Sequence, residues 1–173
     1  MNLKIKQMKA FIITFSFLII STLSCAQAPE TSFRPEALEN KMINIKNQSI
    51  TFGEILNANK GKVLFIDIWA SWCPDCIKAL PNVKELRQNH PKVTFLFLSM
   101  DKNYDAWMKG IEKYEVIGEH FLTTDGMKGV FGKSIQLDWI PRYMIVDKTG
   151  KIVLYKSIDA ADASLSKLLK TLE

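Results

Sequence analysis

Histidine and cysteine are scarce in this chain, and their scarcity narrows its chemistry. Among 173 residues there are two histidines, His90 and His120, and three cysteines, Cys25, Cys73 and Cys76. A zinc site built on Cys73 and Cys76 needs two further ligands, and neither histidine stands at a metal-binding spacing from the pair. A copper site finds no Met or His arranged beside it. Both histidines are expected at the surface. Cys25 belongs to an N-terminal targeting segment, so the folded part holds one cysteine pair, and a disulfide framework is excluded by count. A bridge closing so short a loop restrains the unfolded chain very little, so its value must be chemical. No glycine-rich phosphate loop and no low-complexity tract occurs. Long runs of one charge are absent, and the formal charge of +5 falls to +2 once the three lysines Lys4, Lys6 and Lys9 are set aside. Such a balance gives no reason to invoke nucleic acid.

What is present is a core. Hydrophobic residues make up 47% and charged residues 24% of the chain, enough for one globular domain. The first residues read as an export segment: three lysines precede an apolar run from Ala10 to Ile20, followed by small residues. The run is shorter than the roughly 20 residues of a membrane span. Thr22-Leu23-Ser24-Cys25 is similar to a lipoprotein cleavage site, which makes Cys25 a candidate for lipidation and membrane anchoring. Cleavage after Ala26, giving a soluble form, and an uncleaved anchor are the alternatives. All three put the domain outside the cytoplasm, on the periplasmic side. The expected organisation is an export segment over 1–25, a surface linker over 26–41 and one domain over 42–173.

Within the domain, Met42–Thr51 reads as a small hairpin around Asn47-Gln48, and Phe52–Asn57 as one helical turn. Val63–Ala70 (VLFIDIWA) has the apolar, β-branched composition of a strand buried on both faces, with Asp67 the one residue out of place. Pro74 to about Asn89 carries a helical stripe at Cys76, Leu80, Val83 and Leu86, with Pro74 in the first turn and Pro81 expected to kink the helix. Val93–Met100 is a second buried strand, and Asp101 or Asn103 caps a helix running to about Tyr114. A short strand at His120–Leu122 and a short helix at Met127–Phe131 follow. Arg142–Val146 and Lys151–Tyr155 flank the turn Asp147–Gly150, and Leu165, Leu168, Leu169 and Leu172 mark a terminal helix.

Strand Phe65-Ile66-Asp67-Ile68-Trp69-Ala70-Ser71-Trp72, then Cys73-Pro74-Asp75-Cys76, Pro81 and Ile140-Pro141 before a hairpin and helix together resemble the thioredoxin superfamily. The N-terminal hairpin and the long Asp101–Trp139 segment are similar to its exported TlpA/ResA-type branch. The resemblance implies an α/β fold, a central mixed sheet flanked by helices with an N-terminal β-hairpin extension. It also implies roles: Cys73 the exposed nucleophile, Cys76 the resolving thiol, Asp67 the buried acid beneath them, and Pro141 a cis-proline facing them. Two positions depart from the branch, which often places a neutral residue at 67 and Pro or Gly at 75.

The attacking species in such chemistry is a thiolate, favoured just ahead of a helix by unpaired N–H groups. Asp75 opposes this, and a less stabilised thiolate means a more reducing potential. Asp67, in an apolar strand, should have a raised pKa and accept the Cys76 proton. Trp72, Pro74, Asp75 and Ile140 are expected to contact substrate; Trp69 is expected in the core, and Trp107 and Trp139 as packing or groove walls. The expected function is reduction of disulfides in partner proteins, with cytochrome c maturation implied by the resemblance as one setting. An oxidase or isomerase of the same chemistry, or a redox-switched binding module, is the alternative. No cofactor is needed, since the dithiol carries two electrons. A membrane thiol-transfer protein would recharge it, and the domain is expected to act as a monomer.

Overall fold

The apolar run containing Asp67 forms an interior strand of the sheet. In a computed structural model that describes residues 30–173, it becomes β3 (Leu64–Trp69), buried along its whole length. The export segment and Cys25 lie outside the described residues. Before β3 come α1 (Pro35–Leu38), β1 (Lys41–Asn44), β2 (Ser49–Thr51) and α2 (Phe52–Ala58). After it come α3 (Pro74–Asn89), β4 (Thr94–Ser99), α4 (Tyr104–Lys113), β5 (Glu119–Thr123), α5 (Val130–Ser134), β6 (Arg142–Val146), β7 (Ile152–Ser157) and α6 (Ala163–Leu172). Among the described residues the strands form one seven-stranded sheet in the order β2-β1-β5-β4-β3-β6-β7. β3, β4 and β5 are parallel, as strand–helix–strand crossovers require, and the hairpin pairs at both edges run antiparallel. This is the expected mixed sheet with its N-terminal hairpin.

Local chemistry explains the element ends. Thr51 and Glu54 form a reciprocal capping box on α2, worth about 1 kcal/mol. Asn103, not Asp101, caps α4, its side chain accepting the Ala106 N–H at 2.8 Å. Gly150 takes φ +87° in the β6–β7 turn, where a side chain would be strained. The short helix expected at Met127–Phe131 begins three residues later, at Val130, because the Asp125 carboxylate accepts the Phe131 N–H at 3.2 Å.

Two expectations change. Residues 31–40, read as linker, dock on the domain: Ala37 is fully buried, Phe33 packs edge-on to Phe52 at 4.8 Å, and the Thr31 carbonyl accepts the Ile152 N–H. A few apolar residues in a polar stretch suffice to anchor it. Both histidines are buried rather than exposed. His90 ends α3 and holds α6 through Ser166 Oγ at 2.8 Å and Glu173 at 3.2 Å. His120 stacks on Phe97 at 5.2 Å while its Nε2 meets the Val116 carbonyl.

The register decides which side chains share a face. Phe65, Asp67 and Trp69 of β3 stand beside Phe95, Phe97 and Ser99 of β4 on one side and Ile145 and Tyr143 of β6 on the other. Helix α3 covers this face, its Ile77, Leu80, Pro81 and Val83 lining a cavity with Phe97.

Candidate active site

The chain leaves β3 at Ala70 in a tight turn, the Cys73 N–H returning to the Ala70 carbonyl at 3.1 Å. Ser71, at the centre of that turn, is gripped by Asp101: its N–H and its hydroxyl both donate to the carboxylate, at 3.0 and 2.7 Å. Ser99 Oγ donates to the same carboxylate at 2.7 Å. From the other side Gly110 of α4 presses on Ser71 so closely that a Cβ there would lie 2.4 Å from the Ser71 Cβ. Asp101, expected as a helix cap, is therefore the anchor of the turn that delivers Trp72 and Cys73. Its partner is 30 residues away, a contact no local pattern announces.

Cys73 is the N-cap of α3, with extended backbone, and its Sγ accepts the Cys76 N–H at 3.1 Å. Pro74 occupies the first helical position, where a missing N–H leaves nothing unpaired. Cys73 and Cys76 are joined as a disulfide with Cα atoms 5.3 Å apart. On reduction, the free N–H groups of this turn favour a Cys73 thiolate by about 0.3–2 kcal/mol. Asp75, exposed in the same turn, acts against it.

Ile140 and Pro141, joined by a cis peptide bond, reach the disulfide from the start of β6. The Ile140 carbonyl oxygen lies 3.6 Å from Cys73 Sγ. This cover corrects the expectation of an exposed Cys73, which is only 4% exposed in the disulfide state. The approaching loop is braced from below: the buried Arg142 guanidinium donates to the carbonyls of Ile135 and Gln136 and pairs with Asp138. Lys156 pairs with the same carboxylate and is the main reason its pKa is held at about 2. On the outside stand Trp72, next to Cys73, and Trp139, next to Ile140, each more than half exposed. Trp69 and Trp107 are wholly buried in the core.

Asp67 is 2% exposed, and its Oδ1 has no hydrogen-bond partner. Burial alone pushes its carboxyl up to about 8. A lysine or arginine partner, the ordinary fate of a strand-end carboxylate, is not among its neighbours in the described residues. Directly across β6, Tyr143 is also fully buried with an unpartnered hydroxyl, and burial raises that phenol well above its usual range. Nothing in the hydrophobic pattern of β6 distinguishes Tyr143 from a packing residue.

Among the described residues no cluster of three His, Cys, Asp or Glu side chains is placed to hold a metal ion, and no helix is long and apolar enough to cross a membrane. What the arrangement can do is exchange a disulfide: two sulfurs on a helix N-terminus, a carbonyl against one of them, and a carboxyl poised near neutrality on the covered face.

Comparison with known proteins agrees with this chemistry. A family model described as Thioredoxin-like matches residues 61–152, just over half of the chain. The thiol-disulfide oxidoreductase ResA of Bacillus thuringiensis subsp. konkukian is 25% identical over 113 residues, 64% of this chain. The match likewise spans 64% of that relative's length, under two thirds. The thioredoxin domain of a thiol-disulfide oxidoreductase from Bacteroides vulgatus superposes with TM-score 0.64 and 26% identity, covering 77% of this chain and 92% of its own. A thiol:disulfide interchange protein from Bacteroides sp. gives TM-score 0.65 and 26% identity over 82% of this chain and 88% of its own.

Proposed function

The chain belongs to the thioredoxin-like family, and from that premise we propose that it is a thiol–disulfide oxidoreductase that reduces disulfides in partner proteins outside the cytoplasm. The observation that carries this reading is the Cys73–Cys76 disulfide seated on the first turn of α3, with the Cys76 N–H aimed at Cys73 Sγ. The nucleophile of a two-step exchange needs such a donor when it becomes a thiolate.

In the reduced protein the Cys73 thiolate attacks one sulfur of a substrate disulfide. A Cys73–substrate bond forms, the substrate bond breaks, and the departing substrate thiolate takes a proton from water. Cys76 then gives its proton to the Asp67 carboxylate and attacks Cys73 Sγ. The internal disulfide closes, the mixed disulfide breaks, the departing thiolate takes a proton from water, and the substrate leaves with two electrons as a dithiol. With the Asp67 carboxyl at about 8, roughly one molecule in ten carries the carboxylate at pH 7, so resolution quickens as pH rises through 8. The Ile140 carbonyl, against Cys73, and the rims formed by Trp72 and Trp139 are the surfaces a substrate strand would meet, in the manner of strand addition. Pro141 holds that edge, and Pro74 and Asp75 complete the approach.

The reductive direction rests on Asp75, whose charge makes the Cys73 thiolate less stable than a neutral residue would and so lowers the potential. A reductant working outside the cytoplasm needs an external dithiol, for which a membrane thiol-transfer protein is the fitting class. The export segment, with Cys25 as its candidate lipidation site, would bring the domain to that donor. Apocytochrome c is one substrate consistent with the reading.

A Cys76→Ser variant tests the mechanism. It should arrest at a mixed disulfide between Cys73 and a disulfide-containing protein, released by added dithiol, while Cys73→Ser captures nothing. A module that binds partners without exchange would give no covalent adduct. The measured potential tests direction, and a value near about −120 mV, that of a strong oxidant, contradicts reduction.

A further inference from the structure

An acceptor that works once per cycle must also return its proton to solvent, and Asp67 lies beneath α3 with 2% of its surface exposed. The strand beside it carries a polar group in position to help. Asp67 and Tyr143 are directly opposed in the antiparallel β3–β6 pair, so their side chains stand on the same face with Cβ atoms about 5 Å apart. Phe65 stacks on the Tyr143 ring, centroids 5.3 Å apart and planes 30° apart, which holds the ring in place.

Both ends of this pair are unsatisfied. Asp67 Oδ1 and the Tyr143 hydroxyl are buried without a hydrogen-bond partner, and so is the Nε1 of Trp69, the next side chain on that face of β3. Buried polar atoms are nearly always paired, and a single water can satisfy several such groups gathered on one face. Beyond Tyr143 the way leads outward: Ser157 of β7 pairs with Tyr143, and Asp159, two residues later, is exposed and lies near enough for its charge to act on the Tyr143 phenol.

We propose that Tyr143 is a positioning residue for Asp67, its hydroxyl holding the carboxylate through a buried water and carrying its proton toward the Asp159 loop. The water takes the proton from Asp67 and passes one of its own to the phenol oxygen, which releases its proton on the Asp159 side; nothing is oxidised or reduced. The assignment rests on Asp67 being the proton acceptor proposed above. Other ionisable groups around Asp67 are the cysteine pair of α3, His120 stacked behind Phe97, and Lys84, Arg87 and Glu115 around the cavity above Phe97. None of them contributes to the raised carboxyl pKa, which burial produces alone.

Tyr143→Phe keeps the ring and its Phe65 stack while removing the hydroxyl. The test follows release of a captured substrate from the full-length mixed disulfide between pH 6 and 10, in the wild type, Tyr143→Phe and Asp67→Asn. Loss of the hydroxyl should raise the midpoint of the profile by about one pH unit, about a tenfold slower release at pH 7, with formation of the mixed disulfide unchanged. A Tyr143→Phe profile that superimposes on the wild type, while Asp67→Asn abolishes the pH dependence, overturns the Tyr143 assignment alone. A profile that survives Asp67→Asn overturns the acceptor role beneath it.

Discussion

Asp67 and Asp101 are the same residue type, both almost fully buried, one inside β3 and one just past the neighbouring β4, and the fold treats them in opposite ways. Asp101, just past β4, receives three hydrogen bonds, two from Ser71 and one from Ser99, at 2.7–3.0 Å. Asp67, inside β3, has an oxygen with no partner and a carboxyl pushed up to about 8. Burial is therefore not what separates an anchor from a reactive acid; the supply of donors is. One carboxylate holds the turn that carries Cys73, and the other, without donors, is the group proposed above to accept the Cys76 proton.

Removing each carboxylate in turn should have different consequences. Asp101→Ala strips Ser71 and Ser99 of their acceptor in a buried site, and should cost about 3–5 kcal/mol in denaturant unfolding, with turnover falling equally at every pH. An opposite and pH-dependent stability effect is expected for Asp67→Asn. Because the folded pKa is raised above the ordinary carboxylate value, the wild type is most stable below pH 4 and loses about 1.4 kcal/mol per pH unit until the folded carboxyl ionises near pH 8. The Asn variant lacks that loss, so it should overtake the wild type in stability as pH rises, by up to a few kcal/mol at pH 8. Its turnover should drop about 100-fold at the resolving step. Equal destabilisation by both substitutions at pH 8 would erase the distinction between anchor and acid.

Much of this was legible in the chain. The Pro74–Asn89 helix, the buried strand around Asp67, both hairpins and the leucine-striped terminal helix follow from periodicity and from proline and glycine chemistry, which act over a few residues. The out-of-place Asp67 stood out because an apolar strand makes a carboxylate conspicuous. The Asp101–Ser71 clamp did not, since aspartate after a strand reads equally well as a cap and its true partner is brought in by the parallel crossover. Tyr143 was hidden for the same reason: an aromatic residue in a buried strand looks like packing until the register sets it opposite Asp67. The burial of His90, His120 and Cys73 likewise depends on which elements close over them, the terminal helix for the first and the Ile140–Pro141 edge for the last. Composition also misjudged residues 31–40, where Phe33 and Ala37 outweigh their polar neighbours.

Whether burial without donors holds the Asp67 carboxyl near neutrality can be read by titrating it in the oxidised full-length protein through its ¹³C NMR shift. The midpoint should lie at about 8; a midpoint near the ordinary value of 3.8 would mean that burial leaves this carboxyl unshifted and rule out its part in proton transfer near neutral pH.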